Sequence, residues 1–366
     1  MDSSVIKSMQ DCFDDQLGNP SSNHSYGRKS LELINEARSH VAEAVGALPK
    51  EVYFTSSGSE SNNWFVNGMA LVNPDASFYY GATEHPCVIK PMQNLITSGI
   101  CSQKIGVDAN GKVKIEELKD FDKNKIKVIS LMFVNNESGT IQDLIHVKEI
   151  LGKNTIFHSD AVQALGKIPF NFNNLGLDAM TISSHKINGP HGIAAMIIKN
   201  GLDIEPFISG GGQENGLRSG TENIAAIVGF GKACQLAKAK SNDTIAIKRR
   251  RDFFEKEIKN IGGYIFGANS NRVANTSFFG FMNIDGATLI TALDKYGIGI
   301  ASGSACSTNN KEPSHVLIEM GIEPDVAQTA IRMSLSHENT DSNVEYLLDK
   351  IKFEVTRLNN YTSLMH

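Results

Sequence analysis

Groups able to do chemistry follow five short apolar runs of this 366-residue chain. Ser56 to Ser61 follow EVYF, Glu84 and His85 follow ASFYYGA, and Asn135 to Glu137 follow KVISLMFV. Asp160 ends TIFHSD, and Ser183 to Lys186 close DAMTIS. Within TISSHKINGPHG (181–192), Lys186 taken alone reads as a solvated loop cation. Read with the other groups, it is an amine nucleophile. A carboxylate at a buried strand end, such as Asp160, requires a cationic partner. The serine turn FTSSGSESNNW opens a helix pattern, and the free N–H groups and dipole of a helix start suit a phosphate. A lysine able to form a Schiff base, a carboxylate to keep a pyridine nitrogen protonated, the His85 ring and phosphate donors together fit pyridoxal phosphate.

Each group also has a plainer reading. The serine turn is equally an N-cap, and a lone Asp160 is equally a helix cap or a structural ion pair. His158, His191 and His315 read as structural. GVDANGKV (106–113) nearly spells a phosphate loop, but Val113 stands where Ser or Thr is needed and no helix follows. An Asn110–Gly111 hairpin turn explains it better. No G-x-G-x-x-G follows a strand, so a dinucleotide fits poorly.

The elements that must position these groups alternate. The strand candidates are EVYFTS, ASFYYGA, KVISLMFV, TIFHSD, DAMTIS and IAAMIIK, and helix patterns such as SLELINEARSHVAEAVGAL lie between several of them. Such alternation predicts a largely parallel α/β sheet with helices on both faces. In that architecture ligands bind beyond the carboxyl ends of the strands, where the five groups stand. After a charged stretch at 238–258 the chain mixes strand-like runs (ANTSFFGFMNI, GIGIASGSA) with helices, which predicts a smaller α+β domain. The expected division is a large domain over 12–242 and a small one over 243–366 together with 1–11.

Bulk properties narrow the function further. At 41% hydrophobic the chain buries a large core, and a net charge of -5 without long charge runs argues against nucleic acid as a partner. The polar, acidic start MDSSVIKSMQDCFDD is unlike a targeting peptide. No apolar stretch approaches the ~20 residues that span a bilayer. Five scattered cysteines (Cys12, Cys87, Cys101, Cys234, Cys306) form neither a disulfide framework nor a zinc site, which points to a reducing cytoplasm. Of these, Cys12, Cys87, Cys101 and Cys234 lie in helix or strand patterns and read as packing residues.

Over nearly its whole length the sequence resembles the cysteine desulfurases, enzymes of the class V aminotransferase superfamily with the pyridoxal-phosphate fold-type I architecture. The resemblance is carried by GNPSSNHSYGR (18–28), FTSSGSESNN (54–63), TEHPCV (83–88), VNNESGTIQD (134–143) and HSDAVQALGKIP (158–169). It continues through SSHKINGPHGI (183–193), GGGQENGLRSGTEN (210–223), SGSACS (302–307), EPSHVL (312–317) and IRMSLS (331–336). It implies a large domain with a mainly parallel seven-stranded sheet between helices, a smaller α+β C-terminal domain, and a homodimer.

The resemblance also implies roles. Lys186 binds the cofactor covalently and moves protons. His85 stacks on the ring and has an acid/base role, Asp160 pairs with the ring nitrogen and Gln163 with the ring hydroxyl. Gly58, Ser59, Ser183 and His185 hold the phosphate, with Thr221 reaching it from the second subunit. Asn136 lies beside the ring hydroxyl and substrate, and Arg332 grips the substrate carboxylate, a task that suits a two-donor guanidinium. Cys306, in a Ser/Gly/Asn stretch suited to a mobile loop, would attack the sulfur of L-cysteine. The products would be L-alanine and a persulfide for a sulfur-acceptor protein, such as an iron–sulfur scaffold or a thiolation relay.

The sequence departs from the family pattern in places. Members begin with a short strand and an Asn-Ala-Thr-Thr-like segment, whereas this sequence begins at the following helix. Asn215 stands where arginine is usual, Gly58–Ser59 replaces Ala-Thr, and the longer C-terminal tail of housekeeping members is not in this sequence. Two alternative readings remain: a lyase acting on selenocysteine or cysteine sulfinate, and a catalytically impaired member acting as a binding or scaffold protein.

Overall fold

The computed structural model describes residues 1–119, 126–240, 244–303 and 312–364. Cys306 lies outside the described residues. The chain divides into two compact units. The first comprises Met1–Ile105, Ile115–Phe133 and Asp143–Asn242, and the second Gly106–Lys114, Val134–Gln142 and Asp243–His366.

The first unit is built on seven strands: β1 (Val52–Thr55), β2 (Ser77–Gly81), β3 (Ser102–Ile105), β4 (Lys127–Ser130), β5 (Thr155–Asp160), β6 (Ala179–Ser183) and β7 (Ala194–Ile198). They lie in the order β1-β7-β6-β5-β4-β2-β3. All pairings from β3 through β6 are parallel, and β7 alone runs against its neighbours. This is the mainly parallel seven-stranded sheet expected. Strands β2, β4, β6 and β7 are buried along their whole length, as continuous apolar runs covered on both faces must be. The helix Gly58–Val72 presses Trp64, Phe65 and Met69 into this core, each fully buried, and Trp64 Nε1 donates to the Glu205 carbonyl at 2.9 Å.

The first helix, Ser3–Asp14, belongs to this unit rather than with the C-terminal residues, contrary to the assignment of residues 1–11. It packs on the helix Ile224–Lys240 where Gly229 lacks a side chain, since a Cβ there would lie 2.8 Å from Met9 Cγ. Asp2 N–H also donates to the Asn188 carbonyl at 3.0 Å.

The second unit carries an antiparallel sheet of β8 (Tyr264–Ile265), β9 (Thr276–Gly280), β10 (Ala301–Ser302) and β11 (Ile331–Ser334), in the order β10-β11-β9-β8. Phe254, Phe279, Leu289 and Ile331 form its core. Two excursions from the first half of the sequence join this unit. One is the hairpin around Gly111, whose φ of 76° is open to glycine and whose flanks pair as Val107 with Val113. The other is the turn 134–142, closed by the Val134–Ile141 bridge.

Candidate active site

The first unit gathers most of the groups at its strand ends. Asp160, the last residue of β5, is 5% exposed. Its Oδ2 accepts Asn62 Nδ2 at 2.7 Å, and its Oδ1 accepts the Val162 N–H at 3.0 Å. Burial pushes its carboxyl up. The neutral donors Val162 and Asn62, then the charges of His85 and Lys186, pull the other way. Glu84, beyond the end of β2, accepts the Met132 N–H, and burial pushes its carboxyl well above the usual range.

His85 is the N-cap of the helix Pro86–Thr97. Its Nδ1 accepts the Cys87 N–H at 3.2 Å and lies 2.9 Å from Cys87 Sγ. The same Sγ accepts Asn62 Nδ2 at 3.1 Å. Cys87 is therefore more than the packing residue expected. It joins His85 to the amide that holds Asp160.

After β6, residues Ser184–Ile187 make a single tight turn that presents His185 and Lys186, both exposed in the single chain. Ser183 Oγ lies 2.9 Å from His185 Nδ1, and the His185 ring stacks on His191 at 5.3 Å. Burial lowers the His185 ring below its ordinary value, and the charges of Lys186 and His191 add to it. Gly58 opens the helix Gly58–Val72 beside this turn, where an added Cβ would stand 3.2 Å from Val162 Cγ2 and 4.0 Å from Ser183 Cβ. The Ser57 hydroxyl caps the Glu60 N–H at 3.1 Å, so the capping role read from the sequence belongs to Ser57. Glu60 ties down Ser56 and receives a two-pronged bond from Arg218 at 2.8 and 3.2 Å.

Gln163 sits just past Asp160, and its Oε1 accepts Lys167 Nζ, so its amide NH2 is the end that can donate to a ring hydroxyl. Thr221 is exposed, and among the described residues no hydrogen bond ties it to the set. Asn215 adopts a left-handed φ of 56°, a conformation asparagine tolerates better than arginine does. His158 is structural as expected. It lies between Ser130 Oγ at 2.8 Å and Thr181 Oγ1 at 3.1 Å, stacks on Phe65, and is lowered to about 3 by burial.

The second unit holds Asn136 and Arg332. Arg332 Nη1 donates to the Asn136 carbonyl at 2.8 Å. Next in sequence, Glu137 is buried, accepts the Ser314 hydroxyl, and is pushed up to about 7 by burial against the pull of Ser314 and Arg332. Sequence reading singled out neither Asn62 nor the Glu137–Ser314 pair, because their partners are 98 and 177 residues away.

The strand-end set fits pyridoxal phosphate. A buried carboxylate raised by desolvation and held by neutral donors is suited to a protonated ring nitrogen. The first turn of the helix Gly58–Val72 offers N–H groups with no intrahelical acceptor, where Gly58 keeps the wall against Val162 and Ser183 thin.

The sequence matches the aminotransferase class-V family over residues 1–347. A cysteine desulfurase IscS of Dictyoglomus turgidum is 38% identical over 360 residues, 97% of this chain and 91% of the relative. Among solved structures, a NifS-like protein has a TM-score of 0.92 at 35% identity, covering 97% of this chain and 96% of that one. A NifS-like protein from Rickettsia africae has a TM-score of 0.86 at 36% identity, covering 96% and 95%. The chain belongs to the aminotransferase class-V family, and curated cysteine desulfurases match it along almost its whole length.

Proposed function

We propose that this chain is a pyridoxal-phosphate-dependent cysteine desulfurase that converts L-cysteine to L-alanine and passes the sulfur to an acceptor protein as a Cys306 persulfide. The observation that carries the reading is the buried Asp160, bonded to Asn62 at 2.7 Å, at the same sheet edge as His85, Ser183 and Lys186.

Pyridoxal phosphate, when bound, supplies an electron sink conjugated to the substrate α-carbon. Asp160 keeps a proton on the ring nitrogen, which sustains that sink. His85 would lie against the ring face, and Gln163 would donate to the ring hydroxyl. Gly58, Ser59, Ser183 and His185 hold the phosphate. Arg332 offers paired donors to the substrate carboxylate, with Asn136 beside it. Lys186 would hold the cofactor, and its Nζ would move protons at the substrate carbon. The Cys306 thiolate attacks the substrate sulfur as the carbon–sulfur bond breaks, and a proton delivered to the carbon completes L-alanine. Substrate cysteine and the enzyme thiol thus become alanine and enzyme persulfide, with no outside oxidant.

The protein works as a homodimer in this reading, with the exposed Thr221 reaching the phosphate held by the second subunit. A reducing cytoplasm suits it. Cys12, Cys87, Cys101 and Cys234 are free thiols, and among the described residues no helix is long and apolar enough to cross a membrane.

The test is turnover of L-cysteine with a thiol reductant, comparing the wild type with Cys306→Ser and Lys186→Ala. Alanine release by the wild type, with loss of about a thousandfold or more in both variants, is the expected result. Turnover by Cys306→Ser at the wild-type rate would instead identify a lyase that needs no thiol there. A wild type that becomes yellow with cofactor yet releases no alanine would identify a binding protein.

A further inference from the structure

This inference rests on the reading of His85 as the residue against the cofactor ring. Cys87 follows it by two residues on the first turn of the helix Pro86–Thr97. The Cys87 backbone N–H, which can only donate, points at His85 Nδ1 from 3.2 Å. Nδ1 must therefore present a lone pair, and the Cys87 thiol, 2.9 Å from the same nitrogen, must be the donor of that contact. The two N–H groups of Asn62 are shared between Cys87 Sγ at 3.1 Å and Asp160 Oδ2 at 2.7 Å. Every donor then meets an acceptor in one consistent direction, from Asn62 to sulfur and from sulfur to imidazole.

We propose that Cys87 is a positioning residue of the catalytic site: its thiol couples Asp160, through Asn62, to His85 and holds the imidazole in the tautomer with its proton on Nε2. Each end of the chain then fixes the other. The carboxylate that faces the ring nitrogen orients Asn62, and Asn62 orients the sulfur. The imidazole presents its N–H on the side away from the helix start. The protonation state of the thiol agrees with this role. Burial pushes it up to about 12, helped by the charges of Asp160 and Glu84 and opposed by the donors Asn62 and Ser59, so it remains an S–H donor. Lys186 completes the set of charged groups acting on Asp160. A thiolate there could not donate to Nδ1, and its charge would sit beside two carboxyl groups.

The test uses full-length protein labelled at its histidine nitrogens, before and after loading with pyridoxal phosphate, with the His85 signals assigned by their loss in His85→Gln. The wild type is expected to show the Nε2–H tautomer. In Cys87→Ala one of two donors that oppose protonation of Nδ1 is gone, so the His85 titration midpoint should rise by roughly half a pH unit, the size of one modest hydrogen bond. Cys87→Ser keeps an O–H donor and should titrate close to wild type. In turnover, Cys87→Ala should lose about three- to tenfold in kcat with KM little changed, and Cys87→Ser should recover most of it. An Nδ1–H tautomer in the wild type, or equal midpoints in the alanine variant and the wild type, would overturn the proposal. Equal shifts in the alanine and serine variants would do the same, since they would reduce the thiol to packing. A protein whose visible absorbance does not change with pyridoxal phosphate would instead overturn the cofactor reading, and the His85 signals of the unloaded chain would still decide the role of Cys87.

Discussion

Asp160 and Glu137 are both buried carboxyl groups, 5% and 3% exposed, and burial raises both. Their companions differ. Asp160, in the first unit, is hydrogen-bonded by the neutral donors Asn62 and Val162, and the charges of His85 and Lys186 also act on it. Glu137, in the second, has a hydroxyl partner in Ser314 and the Arg332 guanidinium acting on it. Glu137 also lies where two stretches of backbone meet, since a Cβ on Gly303 would stand 2.8 Å from its Oε2 and 2.9 Å from Ser314 Cβ. Ser314 in turn caps the helix His315–Glu319. A carboxyl held by neutral donors at a strand end is poised to receive a cationic ligand atom. One enclosed by a cap serine and a close-packed glycine belongs to the scaffold.

The contrast can be broken at three points. The largest effect is expected from Asp160→Asn, which removes the charge and leaves one acceptor oxygen for the two donors Asn62 and Val162. L-cysteine turnover should fall by about a hundredfold or more, and wild-type turnover in this variant would end the distinction. Next, Arg332→Ala should lower kcat/KM for L-cysteine about ten- to a hundredfold through loss of a paired charge-assisted contact. Arg332→Lys should fall between, because it keeps charge without the fork. Arg332→Ala also removes the cation acting on Glu137, so the Glu137 midpoint should move above about 7.

The smallest effect is on stability. A carboxyl raised from 4.5 to about 7 in the folded chain stabilises it fully below 4.5, and that contribution is lost as pH rises through about 7. Glu137→Gln carries no proton to lose, so its thermal midpoint should fall less than that of the wild type between pH 5 and pH 8. The difference corresponds to no more than about 3 kcal/mol. Parallel midpoints across that range would show that Ser314 and Arg332 already hold Glu137 in its charged form.

Much of this was legible in the sequence because it is local. Apolar runs ending in Asp160, in Glu84–His85 and in Ser183–Lys186 announce both the strand and the group at its end, and the alternation with helix patterns makes the sheet parallel. What escaped depends on distant pairings. The edge strand β3, Ser102–Ile105, reads SQKI; Gln103 and Lys104 are exposed, so no apolar run marks it. The turn 134–142 belongs with a unit whose remaining residues are mostly beyond 243, which periodicity cannot show. Cys87 sits in an ordinary helix pattern. Its thiol has a task only because Asn62, 25 residues earlier, is folded against it. The role of Cys306 rests on the motif around it, and the residue lies outside the described residues.

One feature of the helix Gly58–Val72 reaches beyond its own packing. Asn62 and Phe65, three residues apart on one side of the helix, meet Asp160 and His158, two residues apart on one side of β5. These contacts work like the two pins of a gauge block. A slip of the helix by one turn would release both at once, so the helix cannot creep along the strand in small steps. The distance from the helix start at Gly58 to the Asp160 carboxylate is thereby calibrated within one piece, and in the proposed site that distance would set the length of cofactor, from phosphate to ring nitrogen, that the first unit accepts.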